Sequence, residues 1–324
     1  MNINDEILKL NWHREPYGLY APIAYTMAAG GKRVRPQLAM IACGIFGGKE
    51  DEVAPAAMAL EVFHNFTLLH DDVMDKAEVR RGRPTVHIQW NENTAILSGD
   101  QMMIEAYKLL SEVPAEKLPK VLRLFNKMAT EICEGQQYDV DFESQDDVSI
   151  EAYLHMIRLK TSVLLATALQ IGAYIAEANE QQQEALYQFG INIGLAFQIQ
   201  DDILDVWGDP ATFGKAVGGD ISCNKKTFVY LEAMRQLGNE AMRQEAMRQE
   251  AIALKEWYSQ VLDDNTEKIA AVKSLFEQLN VRSACEAVVE DYTQKALQIL
   301  SGLPQNAATE QLRQLANKLN TRKD

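Results

Sequence analysis

Two aspartate-rich segments hold the residues most capable of chemistry in this sequence. Asp71, Asp72 and Asp75 lie in LLHDDVMDKAEVRRGRPT, and Asp201, Asp202 and Asp205 lie in FQIQDDILDVWGD. On a helix, positions i and i+4 share a face, so Asp71 aligns with Asp75, with Asp72 at their flank and His64 two turns back on the same stripe. Gln198, Asp201, Asp202 and Asp205 fall at i, i+3, i+4 and i+7, a second polar stripe on a helix otherwise built of Ile, Leu, Ala and Phe. A single acidic patch could be a solvated helix end or a set of caps. Two copies of D-D-x-x-D, each set in apolar helix, need cations to offset their repulsion. Oxygen-only ligands with no His or Cys among them select a hard ion, Mg²⁺ or Mn²⁺.

Mg²⁺ bound by one or two carboxylates keeps positions open for water and phosphate oxygens, so cationic side chains should stand ready for phosphate. Four groups do. Gly30-Gly31-Lys32-Arg33-Val34-Arg35-Pro36 places three cations in a Gly-led segment whose N–H groups can also face an anion. Arg80, Arg81 and Arg83 follow the first stripe, where Gly82 and Pro84 are expected to end the helix. Lys160-Thr161 is expected to open an apolar helix. Lys215, Lys225 and Lys226 lie in the Gly-rich stretch after the second stripe. Helix ends and surface ion pairs would explain any one of these groups. Four of them beside two acidic stripes point to bound phosphate.

The elements that must position these residues are helical. Leu118, Val121, Leu122, Phe125, Met128 and Ile132 step by three and four, as do Leu186, Phe189, Ile193 and Phe197, and later Val289, Tyr292, Ala296 and Leu300. No segment alternates with period two, and no Asn-Gly hairpin signal occurs. Residues 1–324 therefore read as one all-α domain of roughly ten or more helices, with no linker long enough to divide it. The pentapeptide EAMRQ, at Glu240–Gln244 and again at Glu245–Gln249, turns a helix by about 140° per copy and cannot keep one buried face, so it reads as a surface helix.

Composition narrows the classes. In 324 residues, 47 % hydrophobic content supports a sizeable core. A net charge of −14 argues against general nucleic-acid binding and against docking on an anionic membrane, but not against small anionic substrates. The first residues lack the basic region of a secretory signal. The most apolar run, from Ser162 to Ala176, is broken by Gln170 and is shorter than the roughly 20 residues of a membrane span. Cys43, Cys133, Cys223 and Cys285 are scattered, which fits a reduced, cytoplasmic interior.

From GGKRVRP at Gly30 to DISCNKKT ending at Thr227, the sequence resembles the trans-isoprenyl diphosphate synthases, the polyprenyl synthetase family. The resemblance implies an all-α isoprenoid-synthase bundle, homodimeric, with a deep central cavity between the aspartate-bearing helices. It implies that Lys32, Arg35, His64 and Arg81 hold isopentenyl diphosphate. Arg80, Lys160, Lys215 and Lys225 would hold the allylic diphosphate, whether dimethylallyl, geranyl or farnesyl. Asp71, Asp75 and Asp201 match direct Mg²⁺ ligands, and Asp72, Asp202 and Asp205 match residues that support the metals or their waters, three ions in all. Thr161 and Gln198 match groups beside the developing carbocation, and Gly135 to Asp139 matches a supporting GQ-x-x-D segment. His70 and His87 read as structural.

The implied reaction is Mg²⁺-dependent head-to-tail condensation of isopentenyl diphosphate with the allylic diphosphate. Phe66 lies five residues before Asp71, about 7.5 Å along a helix, with Thr67 small beside it and Phe63 next. An aromatic floor there implies a short product, geranylgeranyl or farnesyl diphosphate. The short spacing of the first motif departs from that of many bacterial farnesyl diphosphate synthases, which bears on product length alone. The alternatives are a longer-chain polyprenyl diphosphate synthase and, from another class, a non-catalytic regulatory subunit. Such subunits tend to lack an aspartate motif, and both motifs are intact here.

Overall fold

The computed structural model describes residues 1–209, 217–241 and 245–320. The first half of the chain forms α1 (Ile3–Leu8), α2 (Tyr17–Ala28), α3 (Val34–Ile45), α4 (Glu50–Met74), a hairpin of β1 (Val79–Arg80) and β2 (Arg83–Pro84), α5 (Val86–Gln89) and α6 (Glu92–Leu110). Then come α7 (Leu118–Ser144), α8 (Ile150–Ile157), a π-helical turn (Arg158–Ser162), α9 (Val163–Ile175) and α10 (Glu180–Trp207). After it lie α11 (Gly219–Ser222), α12 (Phe228–Ala241), α13 (Glu245–Tyr258), α14 (Thr266–Gln278), α15 (Val281–Leu300) and α16 (Ala307–Asn320). The expectation of an all-α chain holds, with one short hairpin added.

The chain packs as two compact units. One comprises Met1–Met128, Leu164–Gln188 and Leu300–Arg313; the other comprises Ala129–Val163, Phe189–Ile299 and Gln314–Asp324. In the first unit, α4 packs against α3 and α6. Its Ala54, Ala56, Ala57 and Ala59 are buried and small enough to let neighbours approach, while Leu60, Val62 and Phe63 fill the space between. The acidic first turn of α4, Glu50 to Glu52, suits the positive end of its dipole.

Helix α4 stops at Met74. Asp75 is its C-cap, and Lys76 takes the left-handed conformation (φ 51°) that commonly ends helices. The chain then turns back through the hairpin, pairing Val79 with Pro84 and Arg80 with Arg83. Its two loop residues, Arg81 (φ 52°) and Gly82 (φ 71°), both have positive φ, the requirement of a type I′ turn. Arg80, Arg81 and Arg83 thus sit on a hairpin, not on the end of a helix as the sequence suggested. Two-residue strands are too short to show alternation, and Arg occupies a turn position where Asn or Asp is the usual signal.

Lys160 and Thr161 correct a second expectation. They lie within the π turn that joins α8 to α9, in the middle of a helical run. Two glycines press against that turn. A Cβ on Gly135 would overlap the Lys160 amide nitrogen and lie 2.8 Å from Leu159 C and Lys160 Cα; a Cβ on Gly194 would lie 2.5 Å from Ser162 Cα. Such single-turn widenings are often found at functional sites. No described helix is long and apolar enough to cross a membrane. The second EAMRQ copy opens α13, and the side chains of the first copy lie outside the described residues.

Gly135→Ala should therefore misplace the π turn as well as overpack it. We expect a loss of about 1–3 kcal/mol, the range for overpacked cores, with a fall in turnover beyond what the loss of folded protein explains. Thermal melting alongside initial rates checks this. A variant that melts and turns over like the parent would show that the close approach is not required.

Candidate active site

In the first unit, the segment that opens α3 is built from unusual backbone. Gly30 (φ 74°), Gly31 (φ 134°) and Arg33 (φ 47°) all have positive φ. Gly31 leaves room for the Arg81 guanidinium, since a Cβ there would sit 2.9 Å from its Nη2, and Arg81 Nη1 donates to the Gly30 carbonyl. For Arg33 the left-handed conformation costs about 1–2 kcal/mol. An ion pair beneath it offsets that cost. Arg33 Nη1 donates to Glu61 Oε1 at 3.0 Å and Nη2 to the Met27 carbonyl at 2.7 Å, while Asn65 Nδ2 donates to the same Glu61 oxygen at 3.0 Å. Both charged side chains are buried. Arg33 therefore turns inward and holds the segment, which corrects the reading of all three cations as facing an anion; Lys32 stays exposed.

His64, Arg35 and Arg81 cluster around this pair. Burial first, and then the charges of Arg35, Arg81, Arg80 and Arg33, hold the His64 imidazole well below its ordinary pKa, so it is neutral at pH 7. Burial also draws Arg35 down to about 10, with Glu61 opposing. Arg35 Nε and Glu61 Oε2 are buried without a hydrogen-bond partner. A group of guanidiniums sharing one buried carboxylate is short of negative charge, and an anion would supply it.

The first aspartate stripe splits by role. Asp72 is buried, and its Oδ1 accepts from Arg80 Nε and Nη2, both at 2.7 Å. Burial raises its pKa and Arg80 opposes the rise. Asp71 is half-buried and Asp75 exposed at the helix end. Further back on α4, the half-buried Phe66 ring stands 5.4 Å from Phe63 and 4.8 Å from His70, and Phe63 stands 5.1 Å from Phe125. The Thr67 hydroxyl donates to the His64 carbonyl at 2.8 Å. His70 fills the space left by Gly99, with Nε2 3.0 Å from the Ile96 carbonyl, so its role is structural.

In the second unit, a chain of hydrogen bonds crosses a pocket. Thr161 Oγ1 donates to Gln198 Oε1 at 3.1 Å, and Gln198 Nε2 donates to Asp202 Oδ1 at 3.4 Å. Asp202 Oδ2 accepts from the Tyr153 hydroxyl at 2.6 Å and the Phe228 amide at 3.0 Å. Burial, and then the charge of Asp220, push Asp202 up to about 8, and these hydrogen bonds oppose the rise. Lys160 Nζ pairs with Asp139 Oδ2, the aspartate of the GQ-x-x-D segment, at 2.6 Å. Asp205 Oδ2 accepts the Asp220 amide at 3.0 Å and its carbonyl accepts the Gly218 amide at 2.7 Å, which ties α11 to α10. Asp139, Lys160, Thr161, Gln198, Asp202 and Lys225 all line the pocket. Lys215 lies outside the described residues.

Sequence reasoning missed Glu61, Asn65 and Tyr153. Glu61 had a signal, a carboxylate three residues before His64 in an otherwise apolar stretch. Tyr153 had none. Among the described residues no three His, Cys, Asp or Glu side chains cluster closely enough to hold a metal by themselves. The donors are carboxylate oxygens, which suits Mg²⁺, an ion that shares few protein ligands with many water and phosphate oxygens.

The polyprenyl synthetase family model matches residues 16–277. A geranylgeranyl diphosphate synthase of Methanosarcina mazei is 42 % identical over 234 residues, which cover 72 % of this chain and 71 % of that protein. A short chain isoprenyl diphosphate synthase of Methanothermobacter thermautotrophicus is 35 % identical over 93 % of this chain and 90 % of its own. A crystal structure of a geranylgeranyl pyrophosphate synthase superposes with a TM-score of 0.91 at 45 % identity, covering 99 % of this chain and 97 % of that one.

The neutral His64 has a consequence for stability. Its folded pKa is depressed, so between that value and the unfolded value near 6.5 the unfolded chain binds more protons, and stability falls as pH drops through about 6.5. We expect the ligand-free protein to lose melting temperature between pH 7.5 and 5.5, and His64→Gln to flatten that loss. Parallel slopes for the two proteins would contradict the buried, neutral imidazole.

Proposed function

The chain belongs to the polyprenyl synthetase family and is a prenyltransferase, and we propose that it joins isopentenyl diphosphate head-to-tail to an allylic diphosphate, giving a short-chain product, geranylgeranyl or farnesyl diphosphate. The observation that carries this reading is the cationic cluster at the start of α3, where Arg35, Arg81 and a neutral His64 surround one carboxylate beside the exposed Lys32. That group suits the diphosphate of isopentenyl diphosphate. Lys160 and Lys225 in the other unit suit the diphosphate of the allylic substrate.

The reaction needs the allylic C–O bond to break, which leaves charge on the departing diphosphate. Fixed Lys and Arg donors stabilise that charge without reorganising, because Asp139 and Asp72 already hold Lys160 and Arg80 in place. Asp71, Asp75 and Asp201 would hold Mg²⁺, three ions in the loaded site or Mn²⁺ in its stead, and the metal supplies Lewis acidity at the diphosphate. Gln198 and Thr161 would turn oxygen lone pairs toward the allylic cation, their orientation fixed through Asp202. Asp202 and Asp205 would act through the loops they anchor. No Ser, Cys or His nucleophile is required, and the proton lost after addition would go to the released diphosphate.

Phe66 supports a short product. Its ring is braced by Phe63 and His70, so a chain growing along α4 from Asp71 meets a floor that cannot easily swing away. A homodimer in the cytoplasm is part of the same proposal. Exposed Ile96, Leu97 and Ile104 on α6 offer it an apolar face.

Radiolabelled isopentenyl diphosphate with dimethylallyl, geranyl or farnesyl primer, with and without Mg²⁺, tests the proposal. Mg²⁺-dependent lengthening is expected, ending at geranylgeranyl or farnesyl diphosphate. Phe66→Ala should add at least one isoprene unit, with Phe63 the next barrier. Absence of lengthening would leave a non-catalytic subunit as the reading, and an unchanged product from the variant would refute the floor.

A further inference from the structure

Lys268, near the start of α14, is wholly buried, although it belongs to none of the clusters described so far. Burying an ammonium group is costly unless its hydrogen bonds are returned. Lys268 Nζ donates to the side-chain oxygen of Asn224 and, at 3.1 Å, to the Gln260 carbonyl, and it lies 5.9 Å from the Tyr258 ring centre. Asn224 Nδ2 donates to the same Gln260 carbonyl at 3.0 Å, which closes a triangle. Among the described residues no carboxylate pairs with this ammonium. Two of its three N–H groups go to neutral oxygens, one just beyond α13 at Gln260 and one on the turn at Asn224.

The turn at Asn224 is the one that presents Lys225. Asn224 has a φ of 58°, the left-handed region, and the Lys225 amide donates to the Asp220 carbonyl at 2.9 Å. Beside it, Gly218 packs so closely on the next residue of α14 that a Cβ would lie 2.8 Å from Ile269 Cγ2. Lys226 donates to the carbonyls of Phe142, Glu143 and Gln145, the first at 3.0 Å. Lys225 and Lys226 both line the pocket with Lys160, Thr161 and Asp202, whereas Lys268 lies behind the turn on amide and backbone oxygens.

We propose that Lys268 is a positioning residue: its buried ammonium locks Asn224 in the left-handed conformation and so fixes where Lys225 meets the allylic diphosphate. An apolar residue of the same volume would fill the space but would leave the Asn224 oxygen without its donor, and the turn could relax. The proposal rests on the reading of Lys225 as an allylic-diphosphate ligand.

The test is steady-state kinetics with each substrate varied in turn, on Lys268→Met, Asn224→Gly and Lys225→Ala, with thermal melts of each. Glycine tolerates the positive φ at position 224 while deleting the acceptor, so Asn224→Gly decides the matter if Lys268→Met does not fold. Both variants should raise KM for the allylic substrate about tenfold or more, ~1.4 kcal/mol of binding. Both should leave KM for isopentenyl diphosphate within about twofold. Lys225→Ala should show the same split. If it does and the other two do not, or if they raise both KM values equally, Lys268 is a packing residue and the proposal is overturned. If Lys225→Ala leaves the allylic KM unchanged, the ligand assignment fails first and the positioning role falls with it.

Discussion

Like charge assembled in partly buried ground is the constraint on which this structure depends. Around Glu61, Arg33, Arg35 and Arg81 crowd a histidine that burial, and then their charges, keep neutral. In the second unit, burial and the charge of Asp220 raise Asp202 to about 8. Neither arrangement is what folding alone would select, since each desolvates charges without a full complement of the opposite sign. On the proposed function, a diphosphate would complete the first, and divalent cations carrying a diphosphate the second. The positive-φ segment before α3, the type I′ hairpin and the π turn all serve to hold such groups against relaxation.

Several ionic side chains of the right sign for binding are brackets instead. Arg33, Asp72, Lys226 and Lys268 each hydrogen-bond to the protein itself.

How far the sequence could be read follows from this. Helices α7, α10 and α15 were legible because each keeps an apolar stripe over many turns. The two aspartate stripes were legible because carboxylates at i, i+1 and i+4 in apolar helix have no bland explanation when duplicated. The hairpin was not, because its strands are two residues long and its turn uses Arg81 where Asn or Asp is the usual signal. The π turn was not, because its cause lies on other helices, at Gly135 and Gly194. The inward turn of Arg33 was not, because it depends on Glu61, a partner 28 residues away.

The most direct measurement is of Asp71→Asn and Asp201→Asn, melted without ligand and again with Mg²⁺ and inorganic diphosphate, with turnover measured in parallel. Each substitution removes one of several crowded like charges, worth about 0.3 kcal/mol on an exposed helix. Both variants should therefore melt at or slightly above the parent when ligand-free. They should lose the stabilisation that Mg²⁺ and diphosphate give the parent, and lose most turnover. Variants that melt well below the parent without ligand, yet still turn over, would show that these carboxylates hold the fold and not the metal.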